Sequence, residues 1–383
     1  MRDETLTRTL HRYESAPHLV FWETTKACGL ACRHCRASAQ TTPLPGELTT
    51  AEGRDLLDQI AAMEGPRAIV VFTGGDCFER ADLYELVAYA ISLGLRVGVA
   101  PSVTPKVTRE SLQRLYDLGV RALSISLDGA SSESHDSLRG VEDHFRATLD
   151  ALEMMRDMGF RLQVNTTVMD HNKRELADVL ALVRAAGVSI WEVFFLVSVG
   201  RGSLIREVSA TEAEDICHFL VDAADRGLTV RTVEAPFFRR VQAERAAAGD
   251  VDAATHFGLG ELYRHLRDGL ERVPYATRPR SSASLATGDG RGVIFVGYDG
   301  EVHASGFLPV ALGNVRERSL GEIYTTNEVL TSLRAGELEG ECGRCDYQRL
   351  CGGSRARAYA RTGRVLADDP ACVRTRRVPL SLG

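Results

Sequence analysis

The sequence predicts an α/β protein: a partial (β/α)6 barrel of the TIM type, followed by a smaller C-terminal domain built around cysteines. Three observations predict this. A unit of amphipathic helix, glycine and apolar strand recurs six times before residue 234. The strands are nearly continuous runs of Val, Ile, Leu and Phe, which is typical of parallel strands buried on both faces. Of the nine cysteines, three lie near the N-terminus and four lie near the C-terminus.

The predicted elements follow in order along the chain. A first strand, LVFWETT, is predicted at residues 19–25, and six βα units come after it, fewer than the eight of a closed TIM barrel. The helix before the third strand has an apolar stripe at positions 83, 86, 87, 90 and 91. Each unit turns at a glycine, where the end of a helix favours a residue without a Cβ atom. These glycines are Gly65, Gly94, Gly119, Gly159, Gly187 and Gly227.

The βα pattern ends after residue 233. An Ala- and Arg-rich helix and a Pro- and Ser-rich linker follow, and then GVIFVGYDGEVHASGF predicts a β-hairpin around a Tyr-Asp-Gly turn. Four regions are therefore predicted: an N-terminal segment at 1–16, the barrel at 17–233, a helical and linker region at 234–290, and a C-terminal domain at 291–383.

Composition and charge exclude several classes of protein. The net charge is −6 and the basic residues are scattered, which argues against a nucleic-acid or membrane-surface partner. No apolar run reaches the ~20 residues that a membrane span requires, and the polar start lacks the apolar core of a signal peptide. We therefore expect a cytoplasmic protein, in which clustered cysteines indicate metal binding rather than disulfides.

The N-terminal cysteines Cys28, Cys32 and Cys35 have the spacing Cys-x3-Cys-x2-Cys, directly after the first predicted strand. Three thiolates on a short loop can hold three irons of a 4Fe-4S cluster and leave the fourth iron open for a ligand. Zinc is the alternative, and it normally needs four protein ligands or His, Asp or Glu companions. His34 lies between two of the cysteines and would compete as such a ligand.

The motif and its position resemble the radical S-adenosylmethionine (SAM) superfamily, which carries CxxxCxxC on the loop after the first strand of a partial (β/α)6 barrel. The resemblance implies that SAM binds the open iron through its amino and carboxylate groups. It also implies reductive cleavage of SAM to methionine and a 5′-deoxyadenosyl radical. His34 occupies the position before the last cysteine, which is usually aromatic in this family and packs near the adenine.

Further residues match the SAM site of that family. The second strand ends in Gly74-Gly75-Asp76, where the family usually has Gly-Gly-Glu facing the amino group of SAM. Glycines let a backbone approach a ligand closely, and a carboxylate pairs with an ammonium group. The other matches are Ser126 on the fourth strand, Arg139 for the carboxylate of SAM, and the backbone around Leu196 for adenine. Asp128, at the end of the fourth strand, is expected to support the site. Ser102, Asn165 and Thr167 could face the same end of the barrel.

The C-terminal cysteines Cys342, Cys345, Cys351 and Cys372 supply four thiolates, which suit structural zinc or a 4Fe-4S cluster equally well by spacing. The segment resembles the SPASM/twitch extension of radical SAM enzymes, which implies an auxiliary iron-sulfur cluster. Two positions that usually hold cysteine in a SPASM domain are Ser305 and Arg355 here, so we expect one auxiliary 4Fe-4S cluster rather than two. His303 is an alternative ligand, and Cys77 and Cys217 are interpreted as core residues.

The sequence thus predicts a radical SAM enzyme of the oxidoreductase or lyase type that abstracts hydrogen from its substrate. It assigns no catalytic side chain beyond the residues that bind the cofactors. The resemblance extends to peptide-modifying and haem-biosynthesis relatives, so a peptide substrate is predicted first and a tetrapyrrole is the alternative. A non-catalytic iron-sulfur or zinc scaffold is the remaining hypothesis. An external electron donor of the flavodoxin or ferredoxin type is expected.

Overall fold

The computed structural model describes residues 13–65, 67–275 and 287–375. Most of the predicted N-terminal segment 1–16, residues 276–286 of the predicted linker and the tail after residue 375 lie outside this part of the chain. None of the helices within it is long and apolar enough to cross a membrane.

Seven parallel strands form the barrel sheet, and each pairs with the next in chain order. This arrangement confirms the predicted fold class and all seven predicted strands. Their bounds are β1 Leu19–Glu23, β2 Ile69–Thr73, β3 Arg96–Val99, β4 Ala122–Ser126, β5 Arg161–Val168, β6 Ile190–Phe195 and β7 Thr229–Val233.

Helices follow the strands and cover the outer face of the sheet. The six predicted turn glycines all have positive φ, which confirms the predicted turns. The helix bounds up to residue 270 are α1 Thr50–Ala62, α2 Leu83–Ser92, α3 Arg109–Leu118, α4 Ser132–Arg139, α5 His144–Asp157, α6 Leu176–Ala185, α7 Ala210–Ala224, α8 Phe238–Ala248, α9 Ala253–His256 and α10 Glu261–Leu270. Short 3-10 segments lie at Cys77–Glu79, Lys173–Glu175 and Gly200–Leu204.

Side chains alternate along the strands between the helix layer and the barrel interior. On β5, positions 162, 164, 166 and 168 are buried, and the residues between them are half-buried. Because neighbouring parallel strands are in register, one interior row crosses four strands. That row consists of Ser126, Asn165, Glu192 and Arg231. The barrel interior is therefore polar at the level of the C-terminal end of β4.

The predicted hairpin is confirmed: β9 (Gly292–Val296) and β10 (Glu301–His303) pair in antiparallel fashion. Its position was not predicted, since β9 also pairs in parallel with β1 and extends the barrel sheet. The sheet thus continues past residue 290, and the domain bounds stay a prediction. The remaining elements are β8 Gly288–Asp289, β11 Gly313–Asn314, α11 Leu320–Thr326, α12 Glu328–Ala335, α13 Gly340–Arg344 and α14 Arg355–Thr362.

One contiguous hydrophobic core joins the barrel to the C-terminal region. It contains the fully buried Trp22 and Trp191 of the barrel as well as Ile323 and Leu330 of the last third of the chain. Burial of a side chain of this size contributes about 1.5–3 kcal/mol. The core therefore fixes the C-terminal cysteine region to the barrel.

Candidate active site

The cysteine loop starts where β1 ends, and backbone hydrogen bonds fix it to the end of β2. The N–H of Gly75 donates to the Thr25 carbonyl (2.8 Å), and the N–H of Asp76 donates to the Ala27 carbonyl (2.7 Å). A Cβ on Gly74 or Gly75 would lie 2.4 Å from a carbonyl oxygen of this loop. Gly74 and Gly75 thus allow the turn after β2 to pack directly against the backbone of the cysteine loop, in addition to any role toward a ligand.

Each of the three N-terminal sulfur atoms accepts an N–H donor. The backbone N–H of Leu30 donates to Cys28 Sγ (3.4 Å), and that of Ala39 donates to Cys35 Sγ (3.5 Å). Arg139 Nη1 donates to Cys32 Sγ (3.6 Å). Such donors stabilise thiolates, and hydrogen bonds to sulfur are a known property of iron-sulfur sites. The loop therefore fits a metal-bound thiolate set.

Burial raises the pKa of the Cys28 thiol, so a metal must displace a proton there. Ser102, predicted near the site, lies with its hydroxyl 3.6 Å from Cys28 Sγ. In the described ranges, no three His, Cys, Asp or Glu side chains surround a position for a single metal ion.

Asp128 joins two of the residues predicted for SAM. Its Oδ2 lies 2.5 Å from Arg139 Nη2 and 3.2 Å from His34 Nε2, and its Oδ1 accepts the Thr167 N–H (2.7 Å). Burial alone would raise the pKa of Asp128, but the charges of Arg139 and His34 outweigh burial and hold that pKa well below its usual range. Asp128 is therefore an anion that orients both groups behind Cys32.

Two buried nitrogen atoms of this cluster are suited to bind a ligand. Arg139 Nε and His34 Nδ1 have no hydrogen-bond partner among the residues that the structure describes. Such atoms are rare in folded proteins, because an unpaired buried donor costs about 1–3 kcal/mol. A bound carboxylate or nucleotide would supply the partners.

Sequence analysis missed a histidine pair that supports Asp128. The backbone N–H of Asp128 donates to His135 Nδ1 (3.1 Å), His135 Nε2 lies 2.9 Å from His144 Nδ1, and His144 Nε2 lies 3.0 Å from the Val103 carbonyl. Because His135 Nδ1 accepts, its proton is on Nε2. Burial, with the charge of Arg139, lowers the pKa of His135 to about 3. The only sequence signal was the histidine at the start of HDSLRG.

The Asp76 carboxylate is fully buried within the turn after β2. It accepts hydrogen bonds from the Thr104 hydroxyl (2.8 Å), the Phe78 N–H (3.1 Å) and the Ser102 N–H (3.4 Å). Burial raises the pKa of Asp76. These contacts fix the turn, and the predicted pairing with the amino group of SAM stays a prediction.

The other two predicted residues lie on the barrel strands. Ser126 ends β4 and faces the interior beside Asn165. Leu196 directly follows β6 and is buried against Leu138 and Met169, and its carbonyl accepts a hydrogen bond from Arg357 Nη2 (3.1 Å).

A second group that the sequence did not reveal is Arg201, in the 3-10 segment after β6. Its Nε donates to the Cys32 carbonyl (2.9 Å), its Nη1 to the Ala39 carbonyl (3.1 Å), and its backbone N–H to the Cys35 carbonyl (3.0 Å). Arg201 therefore holds the whole cysteine loop by its backbone. The Gly-Arg-Gly of FFLVSVGRG was the only sequence signal.

The C-terminal cysteines also receive backbone donors. The N–H of Asp369 donates to Cys342 Sγ (3.5 Å), and the N–H of Gly353 donates to Cys351 Sγ (3.4 Å). Burial raises the pKa of Cys342 to about 11 and that of Cys351 to about 12. Cys342 is buried, whereas Cys345, Cys351 and Cys372 are half-buried.

The two positions that usually hold cysteine are occupied by hydrogen-bonded side chains. The Ser305 hydroxyl donates to the buried Glu234 (3.2 Å). Burial, with the charge of Asp289, raises the pKa of Glu234 to about 8. Arg355 is buried and donates to the Ala367 carbonyl (2.7 Å). The Arg355 side chain thus forms hydrogen bonds within the protein and is not positioned to contact a substrate.

Comparison with known proteins supports one family. The model of the radical SAM superfamily matches residues 22–183. An AdoMet-dependent heme synthase of Oleidesulfovibrio alaskensis is 34% identical, over 95% of this chain and 89% of that protein. The mycofactocin maturase MftC of Mycobacterium ulcerans is 28% identical, over 96% of this chain and 91% of that protein.

Among solved structures, Streptococcus suis SuiB bound to S-adenosylmethionine has the same fold, with a TM-score of 0.68 at 12% identity over 97% of this chain and 81% of that chain. An auxiliary 4Fe-4S cluster, the third predicted cofactor, is typical of proteins with a SPASM-type extension. The chain therefore belongs to the radical SAM superfamily and, as the sequence predicted, is an enzyme that uses a 4Fe-4S cluster and S-adenosylmethionine.

Proposed function

We propose that this chain is a radical SAM oxidoreductase in which Cys28, Cys32 and Cys35 hold the SAM-binding cluster. One observation carries the proposal. All three sulfur atoms accept N–H donors, and the donor to Cys32 is the same Arg139 that is paired with Asp128.

A cluster held by Cys28, Cys32 and Cys35 would supply the electron for reductive cleavage of SAM, and hydrogen abstraction from the substrate would follow from that cleavage. The protein binds and orients. Arg139 keeps its buried Nε free for the carboxylate of SAM, and Asp128 holds the guanidinium in one orientation. His34 is held by the same carboxylate and offers Nδ1 toward the nucleotide. The resemblance to the family assigns Gly74, Gly75 and Asp76 to the amino group of SAM, and it assigns Ser126 a position facing SAM.

Cys342, Cys345, Cys351 and Cys372 are assigned to one auxiliary 4Fe-4S cluster. The sulfur atoms of Cys342 and Cys351 accept backbone N–H groups, as thiolate ligands commonly do. Such a cluster would accept an electron from the product radical or bind the substrate. An external donor of the flavodoxin or ferredoxin type would supply the first electron.

Two substrate classes have support, and they differ in the relatives that favour them. A peptide, predicted first from the sequence, is favoured by the match to a maturase along nearly the whole chain. A tetrapyrrole is favoured by the higher identity of the haem-type relative, 34% against 28%. The identity makes the tetrapyrrole the first substrate to test.

The test of the reaction is anaerobic reconstitution, reduction with dithionite in the presence of SAM, and measurement of 5′-deoxyadenosine. We expect the wild type to form it and Cys32→Ala to lose it, because one iron would lack its ligand. Cys217→Ala is the matched control, since Cys217 is a fully buried thiol outside both cysteine groups, and it should keep nearly full activity. Equal loss in both variants would refute the assignment of the cluster.

The substrate classes are separated by transfer of deuterium into 5′-deoxyadenosine. One reaction contains a tetrapyrrole deuterated on its propionate side chains, and the other contains a deuterated candidate precursor peptide. Label from the tetrapyrrole alone supports the haem-type reaction, and label from the peptide alone supports a maturase.

A further inference from the structure

Two arginines, Arg239 and Arg291, lie against the loop between Cys345 and Cys351 and donate hydrogen bonds to backbone carbonyls there. Arg239 Nη1 donates to the carbonyl of Leu350 (3.3 Å), the residue before Cys351, and Nη2 donates to the Thr287 carbonyl. Arg291 Nη1 donates to the Arg349 carbonyl (2.9 Å). Both guanidinium groups are therefore bound to carbonyls that lie one and two residues before Cys351 in the chain.

Neither guanidinium group forms an ion pair with a carboxylate of the residues that the structure describes. Within the described ranges, no carboxylate oxygen lies within 4.0 Å of either guanidinium group. Arg240, the next residue after Arg239, shows the contrast, since it forms ion pairs with both Glu214 and Glu244. The charge of Asp289 acts on both arginines from a greater distance, and an oxygen of Asp289 accepts the backbone N–H of Arg355 (3.2 Å).

The surroundings of Cys351 are positive on the cavity side as well. A cavity of about 240 Å³ opens beside this cysteine, and Arg291 is part of its wall. Glu14 and Asp289 are its acidic residues, and its cationic side chains are Arg291, Arg334, Arg349 and Arg355. Desolvation, with repulsion from Arg239, lowers the pKa of Arg291 to about 10. Placing these two cations close together is therefore unfavourable in the absence of a nearby negative charge.

Four thiolates around a 4Fe-4S core give a net charge of about −2, and one further electron makes it about −3. Nearby cations in a partly desolvated site stabilise the more negative, reduced form. We infer that Arg239 and Arg291 are counter-charges of the auxiliary cluster that raise its reduction potential. The inference rests on the assignment of that cluster to the four C-terminal cysteines. The two arginines act on the cluster by their charge and are positioning residues, not catalytic ones.

The test is an EPR-monitored redox titration of the reconstituted full-length protein with SAM present, which shifts the signal of the other cluster. Arg239→Gln and Arg291→Gln should each make reduction at least tenfold less favourable, a shift of about 59 mV to more negative potential. Arg239→Lys and Arg291→Lys should restore most of the potential, since the charge remains. Arg344→Gln is the matched control, because this exposed arginine of the same cysteine region pairs with Glu341, and it should leave the potential unchanged.

Iron analysis separates failure of the inference from failure of the proposed function. About eight irons per chain in the wild type fit two clusters, whereas about four would refute the auxiliary cluster and this inference with it. With about eight irons, an unchanged potential in both Gln variants overturns the inference alone. Selective loss of the auxiliary irons in the Gln variants but not in the Lys variants supports it. Equal shifts of the potential in the Gln and Lys variants would overturn the inference, because packing rather than charge would then be responsible.

Discussion

The carboxylate of Asp128 organises the candidate SAM site because it contacts three groups of that site at once. One carboxylate pairs with Arg139 and His34 and also accepts the Thr167 N–H. Removing one member of a buried ion pair costs about 3–5 kcal/mol, because the other charge is left without compensation. This explains how a histidine can replace the usual aromatic residue before the last cysteine. The Asp128 carboxylate holds His34 in place, and the sequence motif gives no sign of that contact.

The histidine pair behind Asp128 predicts a pH dependence of stability. In the folded protein the pKa of His135 is about 3, and in the unfolded chain it is about 6.5. Below pH ~6.5 the unfolded chain binds a proton at His135, whereas the folded protein does not until the pH approaches ~3. The contribution of His135 to stability is therefore fully present above pH ~6.5 and is lost as the pH falls toward ~3. Between pH 7 and 5, the free energy of unfolding should fall by about 2 kcal/mol from this group.

Unfolding measured at pH 7 and 5 checks this, with His135→Asn as the variant that removes the group. The variant should lose about 2 kcal/mol less than the wild type over this interval. His171→Asn, at an exposed histidine, should behave like the wild type. Equal losses in all three proteins would contradict the expectation.

At the scale of elements, the 3-10 segment Gly200–Leu204 acts as a clamp on the cysteine loop. Arg201 donates to three carbonyls of that loop. The approach requires Gly200, which has φ of 56° and whose Cβ would lie 2.3 Å from the Arg36 carbonyl. The segment and the loop are therefore complementary in shape, and neither can change alone.

Gly200→Ala should displace the clamp and weaken the N-terminal cluster site. We expect at least a tenfold loss of 5′-deoxyadenosine formation together with lower iron content, because the backbone must move away from Arg36. Gly258→Ala is the control, since this glycine also has positive φ (64°) but no atom lies within 4 Å of the added Cβ. A similar loss in both variants would mean that backbone strain, not the close approach, is responsible.

At the scale of the whole molecule, Arg357 joins the C-terminal region to the barrel. From α14 it donates to the Glu234 carbonyl after β7 (2.7 Å) and to the Leu196 carbonyl after β6 (3.1 Å). Its side chain is only 3% exposed. Together with the pairing of β9 with β1, this contact makes the two cysteine regions parts of one body.

Arg357→Gln should lower the free energy of unfolding by about 3 kcal/mol, because buried acceptors lose a charged donor. Thermal unfolding of the reconstituted protein measures the change. Arg361→Gln lies on the exposed side of the same helix and should change stability by less than about 0.5 kcal/mol. A small effect of both substitutions would show that α14 is held by packing alone.

Much of this architecture could be predicted because it is encoded locally. Glycines at helix ends and apolar runs indicated all seven barrel strands, and the Tyr-Asp-Gly turn indicated the hairpin. The pairing of β9 with β1 could not be predicted, since it joins Leu19 to Val293 with no local signal. The cysteines were recognisable by spacing. His135, His144 and Arg201 were not, because their contacts arise only when distant segments fold together.

The register of β9 on β1 has a consequence for biogenesis. Until residues 292–296 leave the ribosome, β1 has only one neighbour, and its other edge displays unpaired backbone groups. At a synthesis rate of ~5–20 residues per second, this vulnerable interval lasts on the order of tens of seconds. A nascent or prematurely terminated chain would then expose an aggregation-prone strand edge close in sequence to the first three cysteines.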